Sequence, residues 1–326
     1  MNKKYLNFRT DMADERVDTY KKVHNLTDVD GIKVTSKSDN SITTTIVDVL
    51  NKNGEMAVSK KIGKYITIEV PDIVYVDESE KEDISNEISN NIKTLIGKDK
   101  SKSVLIVGLG NVSVTPDALG PKVVKYVEIT RHLLHYAKDL VEPNTREISA
   151  ISPGVLGTTG IETSEIITSI VENIKPDALI VIDSLASGSI HRIGNTIQLS
   201  NTGITPGEGV RNKRDSINEE NLKIPVISLG VPTVVDMATI TNEAIDKLID
   251  SAKDEAKNVF SNEKRNNCTD TLLSKLEQDT RYDMIANALN TQNYIVTPKE
   301  VDELINIMSE IIANGINLSL KWKHIN

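Results

Sequence analysis

The chain contains 326 residues, of which 38% are hydrophobic and 26% charged, with 17 glycines and 10 prolines. This composition excludes collagen-like, low-complexity and wholly disordered proteins, and the length allows one large α/β domain or two smaller ones. Lysine and arginine number 38 against 47 aspartates and glutamates, which gives a formal net charge of -9. A negatively charged protein repels phosphate backbones, so direct nucleic-acid binding is not expected.

The cysteine content and the N-terminus bear on the cellular compartment. Cys268 is the only cysteine in the sequence, so an intramolecular disulfide is excluded and a reducing compartment is expected. The first residues lack the apolar stretch of an export signal, and no window approaches the roughly 20 apolar residues of a membrane span. We therefore expect a cytoplasmic protein that makes no membrane contact.

The N-terminal part of the chain combines a polar segment with a predicted β element and a helix. Residues 1–40 are rich in charged and polar side chains, which is typical of an arm that packs lightly or is removed. Two β-rich runs, 42–47 and 65–70, flank a turn region rich in lysine and glycine and predict an antiparallel pair. Isoleucines at close to helical spacing within 79–97 predict a helix that leads into a buried strand at 104–107.

The rest of the chain alternates between predicted helices and apolar strands. Helices are expected at 120–138, 162–174 and 233–252, and strands at 146–151, 178–182 and 224–229. This alternation indicates a single-domain α/β fold with a mainly parallel twisted sheet, helices on both faces and a small antiparallel element near the N-terminus. Residues 253–282 are charged and lack periodicity, so we expect an exposed insertion. Thr297 and Pro298 predict the N-cap and first turn of a closing helix.

The turn after strand 104–107 contains Gly108 and Gly110, which resembles the start of a dinucleotide-binding fingerprint. Ser113 occupies the place of the third glycine and a polar loop precedes the next helix, so a nucleotide cofactor is not expected. The loop presents a carboxylate, Asp117, beyond the end of a predicted parallel strand. From the residues alone, Asp117 is either a functional carboxylate or the N-cap or first-turn charge of the following helix.

A second carboxylate, Asp183, lies at the C-terminal end of the apolar strand 178–182. The loops beyond the carboxyl ends of parallel strands form the ligand crevice of open α/β sheets, so Asp117 and Asp183 are expected to converge. Two nearby carboxylates titrate at separated pKa values, so one can activate water while the other holds a proton and acts as an acid. The pair predicts hydrolytic chemistry, although aspartates at strand ends also occur without a function.

Small residues suited to a substrate crevice cluster in the loop after strand 146–151. The residues assigned to this crevice are Gly154, Gly157, Thr158, Gly160, Glu162 and Ser184. Each of them also fits an ordinary tight turn. None of the five histidines lies in a His-Glu-x-x-His motif, which excludes a zinc protease of that class. No cofactor is expected; a divalent metal stays open, and His191 is a third ligand only in that case.

Ordered motifs along nearly the whole chain resemble the spore germination protease family of endospore-forming bacteria. The motifs are Gly-Leu-Gly-Asn (108–111), Thr-Pro-Asp-Ala-Leu-Gly-Pro (115–121), Thr-Arg-His (130–132), Pro-Gly-Val (153–155), Gly-Ile-Glu-Thr-Ser (160–164), Asp-Ser-Leu-Ala-Ser (183–187), Thr-Gly-Ile (202–204), Pro-Gly (206–207), Asn-Lys-Arg (212–214), Gly-Val-Pro-Thr-Val-Val-Asp (230–236), Val-Thr-Pro-Lys-Glu-Val-Asp (296–302) and Ala-Asn-Gly (313–315). The parts that match poorly are 71–100 and 253–290.

The resemblance implies an endopeptidase that starts the degradation of small acid-soluble spore proteins during germination. It also implies a homotetrameric zymogen in the cytoplasm of the forespore and spore core, which removes its own N-terminal peptide. The family's two essential aspartates correspond to Asp117 and Asp183, and the implied fold is that of the hydrogenase maturation endopeptidases. Ser184 replaces an alanine of the family pattern, a change too small to put the site in doubt.

The family's processing site also has a counterpart in this chain. Members of the family carry Arg-Thr-Asp-Leu-Ala near the N-terminus and cleave themselves after the aspartate, which corresponds to cleavage between Asp11 and Met12. The resemblance thus implies a propeptide of residues 1–11 and a peptidase domain of residues 12–326. An atypical aspartic type is favoured over a metallo type. Two alternatives stay open: a metal-dependent maturation-type peptidase on the same fold, and a non-catalytic peptide-binding module.

Overall fold

A computed structural model describes residues 10–39, 41–97, 103–142, 145–205, 216–259, 282, 284–285, 287–288 and 294–321. In these residues no helix is both long and apolar enough to cross a membrane. The strands are β1 (Ile32–Asp39), β2 (Ile42–Val49), β3 (Gly63–Glu69), β4 (Ser103–Gly108), β5 (Glu147–Ile151), β6 (Ala178–Ser187), β7 (Thr196–Ser200), β8 (Val226–Asp236) and β9 (Ile295–Val296). The helices are α1 (Ala13–His24), α2 (Lys52–Val58), α3 (Glu78–Ile96), α4 (Leu119–Tyr126), α5 (Arg131–Tyr136), α6 (Leu156–Thr159), α7 (Thr163–Ile174), α8 (Glu219–Leu222), α9 (Met237–Val259) and α10 (Val301–Leu320).

The described strands form one mixed sheet in the order β1-β2-β3-β7-β8-β6-β4-β5, with β9 paired to β8. Neighbours from β8 through β6 and β4 to β5 are parallel, whereas neighbours from β1 through β2, β3 and β7 to β8 are antiparallel. The predicted α/β class is confirmed. The antiparallel element near the N-terminus is part of the same sheet and is larger than predicted, because the polar strand β1 and the five-residue strand β7 extend it.

Side chains of the central strands alternate between two apolar layers. Val104 and Ile106 of β4 face a layer formed with α3, α4 and α10, whereas Leu105 and Val107 face α7. All four side chains are at most 2% exposed. Burial of one such side chain contributes about 1.5–3 kcal/mol, so both faces hold the central strands firmly beneath the loops at their carboxyl ends.

Helix α3 shows how the sequence specifies one of these layers. Asp77 caps the helix by accepting a hydrogen bond from the N–H of Glu80 at 2.9 Å, and the Glu80 side chain accepts from the N–H of Asp77 at 2.9 Å. This reciprocal cap satisfies two N–H groups at the start of the helix. Further along, Ile88 packs against Gly315 of α10, where a Cβ would lie 2.7 Å from the Ile88 side chain. Glycine at this position therefore permits the close approach of the two helices.

Several predicted boundaries differ from the structure. The predicted helix 120–138 is two helices, α4 and α5, because the backbone turns extended at Val127. Helix α10 begins at Val301 with Glu300 as its N-cap, so the predicted N-cap role of Thr297 is wrong; the Thr297 hydroxyl instead donates to the carbonyl of Thr233 at 2.9 Å. Strand β6 extends beyond its predicted end through residues 183–187, and β8 extends through residues 230–236, which moves the start of α9 from the predicted position 233 to Met237.

The predicted arm is closely packed at residues 10–17, whereas most of residues 22–39 are exposed. Thr10, Met12, Ala13 and Val17 are buried, and α1 packs against β2 and β3. Residues 1–9 of the predicted propeptide lie outside the described residues. The arm therefore enters the described structure already in contact with the domain.

The predicted exposed insertion at 253–282 falls mainly outside the described residues. Residues 253–259 continue helix α9, and residues 260–281 are not described, nor are the motifs at 206–207 and 212–214. Tyr282, at the end of the predicted insertion, is 6% exposed and its hydroxyl donates to Asp236 Oδ2 at 3.1 Å. Tyr282 itself is buried, and the exposure of the rest of the insertion stays a prediction.

Candidate active site

Asp183 lies at the carboxyl edge of the parallel half of the sheet, at a step where one strand ends and its neighbour continues. Strand β4 ends at Gly108, which pairs with Ile182 of β6. Asp183 is therefore the first residue of β6 beyond the end of its neighbour, while β6 itself continues to Ser187 alongside β8. The N–H of Ser184 donates to Asp183 Oδ1 at 2.9 Å and orients the carboxylate.

The loop after β4 brings Asp117 back over this step. Gly110 has a φ of 116°, and a Cβ there would lie 1.9 Å from the carbonyl oxygen of Asp117, so this turn requires glycine. The N–H of Asn111 donates to Asp117 Oδ2 at 2.8 Å, and the Thr233 hydroxyl holds the loop at the carbonyl of Pro116 at 2.7 Å. The N-cap residue of α4 is Ala118, so the N-cap interpretation of Asp117 is wrong.

A cavity of about 510 Å³ is lined by both Asp117 and Asp183. Its floor is the sheet, where Asp183 of β6 pairs with Gly230 of β8, and Gly230 pairs with Gln198 of β7. Paired residues of neighbouring strands present their side chains on the same face, so Asp183 and Gln198 enter the cavity from strands about 10 Å apart. Leu185 packs over the backbone of Gly230, where a Cβ would lie 2.5 Å from Leu185 Cγ.

The end of the N-terminal arm lies in the same cavity. Asp11 lines it and pairs with β6: the Asp11 N–H donates to the carbonyl of Ala186 at 2.9 Å, and the Ala186 N–H donates to Asp11 Oδ2 at 2.8 Å. Met12 is fully buried, and its N–H donates to Thr10 Oγ1 at 3.0 Å. The peptide bond between Asp11 and Met12 is thus fixed close to Ala186, three residues after Asp183 on the same strand.

A buried charged cluster, formed by Asp14, Glu15 and Arg192, anchors the start of α1. Arg192 Nη1 lies 2.5 Å from Asp14 Oδ2, and Arg192 Nε lies 3.5 Å from Glu15 Oε1. Glu15 also accepts hydrogen bonds from the Thr10 hydroxyl and, at 2.8 Å, from the N–H of Gly188. Burial raises the pKa of the Glu15 carboxyl above its ordinary value of 4.5, against the opposing effect of these hydrogen bonds and of Arg192.

The raised pKa of Glu15 predicts a pH-dependent contribution to stability. The folded state binds this proton more readily than the unfolded state, so the contribution of Glu15 to the free energy of unfolding declines as the pH rises from 4.5 through the folded-state value. We expect Glu15→Gln to remove this decline, as measured by urea unfolding between about pH 5 and 8 in a chain that also carries Asp183→Asn. The exposed Glu78→Gln is the control, and a Glu15→Gln profile parallel to that of the parent contradicts the prediction.

Comparison with known proteins identifies the family. A family model described as Germination protease matches residues 9–266 and 252–326 of the chain. The chain belongs to the germination protease family. Germination proteases of Clostridium perfringens (strain SM101), Clostridium tetani (strain Massachusetts) and Priestia megaterium are 45%, 43% and 39% identical to it, over 97%, 97% and 96% of this chain and 95%, 96% and 93% of theirs. The resemblance stated from the sequence is confirmed, and the protein is a germination-specific peptidase.

Among solved structures, the NiFe hydrogenase maturation protease HycI from Thermococcus kodakarensis KOD1 is similar to part of this germination protease. The match has a TM-score of 0.30 and 19% sequence identity, and it covers 44% of this chain and 80% of that chain.

The structure places two of the predicted crevice residues of this germination protease in the cavity, namely Gly154 and Ser184. It does not bring the other four there. Gly157 and Thr158 lie in α6, Gly160 ends that helix with a φ of 72°, and Glu162 is the N-cap residue of α7. Thr163, at the start of α7, lines the cavity instead. Gly154 and Gly160 adopt positive φ values of 79° and 72° in the turns on either side of α6, and a sequence pattern cannot distinguish such turns from a substrate crevice.

His191 does not join the two aspartates. Its side chain is 69% exposed, and its Nε2 lies 2.8 Å from Nζ of Lys247 and 3.7 Å from Oε1 of Glu243. Within the described part of the chain, no group of three or more histidine, cysteine, aspartate or glutamate side chains is arranged to hold a metal ion. Asp11, Asp117, Asp183 and Asp236 all line the described cavity, but no three of them are grouped as the ligands of one metal ion.

Lys60 and Gln198 are among the cavity-lining residues on the antiparallel side of the germination protease that the sequence did not predict. Lys60 follows α2, in the segment predicted as a lysine-rich turn, and Gln198 lies on the unpredicted strand β7. Neither position carries a local signal of function, since a lysine in a turn and a glutamine in a short strand are common on protein surfaces. The contacts of these two residues become visible only when β3 and β7 lie side by side.

Proposed function

We propose that the protein is an endopeptidase that starts the degradation of small acid-soluble spore proteins during germination, and that it is made as a self-processing zymogen. Family membership supports the germination-specific protease activity. The observation that carries the proposal of self-processing is the position of Asp11, which lines the same cavity as Asp117 and Asp183. Proton-transfer catalysis requires the scissile peptide and the carboxylates to share one site, and a common cavity supports this.

In the proposed reaction, Asp117 and Asp183 act as an acid and base pair. The ionised carboxylate accepts a proton from water as the water oxygen attacks the carbonyl carbon, and the protonated carboxyl donates its proton to the departing amide nitrogen. Backbone N–H groups of Asn111 and Ser184 hold one oxygen of each carboxylate. These hydrogen bonds fix the orientation of both carboxylates before substrate binds, as preorganised catalytic groups require.

We propose that the propeptide is residues 1–11 and that the bond cleaved is the one between Asp11 and Met12. Before cleavage the arm fills part of the cavity and keeps protein substrates out. A mildly acidic pH favours a state in which the aspartate pair shares one proton, and it is the proposed condition for processing. The spore proteins that serve as substrates then enter the cavity that the arm has left.

The resemblance further supports a homotetramer in the cytoplasm of the forespore and spore core. The experiment for the assembly is sedimentation velocity of the purified protein, for which we expect the mass of four chains. A monomer at micromolar concentration contradicts this part of the proposal and leaves the cleavage chemistry to its own test.

The test of the proposed function is incubation of the acidified, purified protein with a small acid-soluble spore protein, with and without excess chelator, followed by mass spectrometry. We expect cleavage in both arms and loss of residues 1–11 from the enzyme. Cleavage that stops in chelator favours the alternative, a metal-dependent maturation-type peptidase in which the two aspartates are ligands. Absence of cleavage in both arms, with the protein folded, overturns the proposal in favour of a peptide-binding module.

A further inference from the structure

The carbonyl oxygen of Asp11 receives two hydrogen bonds from side chains of the domain. Lys60 Nζ donates to it at 2.9 Å, and Gln198 Nε2 donates to it at 3.0 Å. This carbonyl belongs to the peptide bond between Asp11 and Met12, the bond that the proposed self-processing breaks. Two donors of this kind, one of them positively charged, are the arrangement that stabilises negative charge developing on a carbonyl oxygen.

The Gln198 amide contacts the arm on both sides of this bond. Its Nε2 donates to the carbonyl of Asp11, while its Oε1 accepts a hydrogen bond from the N–H of Ala13 at 2.7 Å. Gln198 lies within β7, between β3 and β8, and pairs with Thr67 and Gly230. A side chain rising from an interior strand is held more precisely than one on a loop, so Gln198 fixes the position of the bond relative to the sheet.

Lys60 reaches the same carbonyl from the segment after α2. It follows α2, whose last turn ends at Ser59 in a left-handed conformation with a φ of 54°. The next residue, Lys61, is tied to β3 because the Tyr65 hydroxyl donates to its carbonyl at 2.9 Å. The main chain on both sides of Lys60 is thus fixed, which limits the reach of its ammonium group.

The other end of the Asp11 residue is held by β6. Its N–H donates to the carbonyl of Ala186, and its carboxylate accepts from the N–H of Ala186. The residue before the cleaved bond therefore lies alongside β6 and bonds to its backbone, as a neighbouring strand would. Asp11 is therefore bound at its N–H, side chain and carbonyl at once. Only the carbonyl contacts, from Lys60 and Gln198, involve an atom that changes charge during hydrolysis.

We propose that Lys60 and Gln198 are further catalytic residues, which bind the carbonyl oxygen of the cleaved bond and stabilise the oxyanion formed there. The inference rests on the proposed self-processing. As the water oxygen bonds to the carbonyl carbon of Asp11 and its proton passes to the ionised aspartate, the electron pair of the C=O π bond moves onto the oxygen. The pair returns when the C–N bond breaks, and the nitrogen of Met12 takes the proton of the protonated aspartate. The products are an Asp11 carboxyl group and a Met12 amine.

The test measures the rate of self-cleavage of the full-length chain after acidification, by intact mass. Lys60→Met removes one donor, and Gln198→Glu removes the other while it keeps an oxygen that can accept from the N–H of Ala13. We expect each substitution to slow cleavage by about 10²- to 10³-fold, the usual loss for one oxyanion donor. Lys60→Arg keeps a cationic donor, and we expect a rate within about tenfold of the parent. Lys52→Met, an exposed lysine of α2 paired with Glu55, is the control and should cut at the parental rate.

A second measurement separates catalysis from simple docking of the arm. Each substitution is also placed in a chain that carries Asp183→Asn and stays uncut, and amide hydrogen exchange of the segment containing Asp11 is measured there. We expect the protection of the Asp11 N–H, which donates to Ala186, to stay within about threefold of the parent in Lys60→Met. A rate of cleavage that falls only as far as this protection falls, or that does not fall, overturns the inference. If the parental chain never cleaves itself, the proposed self-processing is wrong, and so is the oxyanion role of Lys60 and Gln198.

Discussion

Asp183→Asn and Asp117→Asn should each abolish self-processing and cleavage of spore proteins while the chain stays folded. Both carboxylates line the cavity that contains Asp11, and each is oriented by a backbone N–H group. General acid or base catalysis contributes about 10²- to 10⁴-fold to a rate, and the loss should be at least this large because the two groups act as a pair. The intact mass of each variant after acidification should remain that of the full chain.

The control for these variants is Asp177→Asn. Asp177 lies just before the other end of β6, where it accepts hydrogen bonds from the N–H and the hydroxyl of Ser103 at 2.8 and 3.0 Å. It is an aspartate next to the same strand but far from the cavity, so its variant should process at the parental rate. Near-normal cleavage by either cavity variant would remove that aspartate from the mechanism. Loss of residues 1–11 from parent and Asp183→Asn alike would point to a contaminating protease.

Arg192→Met should produce the largest loss of stability among single substitutions of charged residues near the arm. Arg192 contacts Asp14, Glu15 and, through Nη2 at 3.0 Å, Glu69. The side chains of Asp14 and Glu15 are only 8% and 10% exposed, so they would be left buried without their positive partner. Breaking a buried ion pair by removing one partner costs about 3–5 kcal/mol.

The measurement is urea unfolding at pH 7 in the uncut Asp183→Asn chain. Lys81→Met is the matched control, because Lys81 pairs at 2.6 Å with Glu78, whose side chain is 89% exposed. Exposed pairs contribute at most about 1 kcal/mol, so this control should change little. Arg192→Lys retains the positive charge, but a lysine ammonium group cannot contact three carboxylates as the guanidinium group does. We therefore expect a smaller decrease in the free energy of unfolding than for Arg192→Met. A free energy of unfolding for Arg192→Met within about 1 kcal/mol of the control would contradict the buried-cluster interpretation.

The parallel half of the fold and its two aspartates were accessible from sequence for a local reason. Strands β4 and β6 are buried on both faces, so their residues are apolar without alternation, and the first polar residue after the apolar run of β6, Asp183, marks the step where the neighbour ends. Asp117 follows a glycine-containing turn that is recognisable by itself. In both cases the proposed catalytic aspartate lies within a few residues of a strong strand signal.

The antiparallel half was harder to predict because its signals lie far apart in the chain. Strand β7 has five residues and gains its identity from β3 and β8 on either side. The contacts that hold Asp11 join it to Lys60, Ala186 and Gln198, which are 49, 175 and 187 positions away. No local sequence pattern predicts contacts between residues so far apart in the chain. The glycines around α6 do carry a local signal, but the signal is ambiguous, because tight turns and substrate crevices both favour glycine.

The strand order also determines when the cavity can exist during synthesis of the chain. Strand β3 lies beside β7, and β7 reaches the parallel strands only through β8. Ribosomes deliver the N-terminal segment first, so of the three residues that bind Asp11 only Lys60 is made early. Ala186 and Gln198 follow much later, and the floor of the cavity between them requires Gly230. The complete cavity around Asp11 therefore forms only after β8 has been synthesised. For the proposed self-processing, this order means that the bond between Asp11 and Met12 meets both aspartates only in a nearly finished chain.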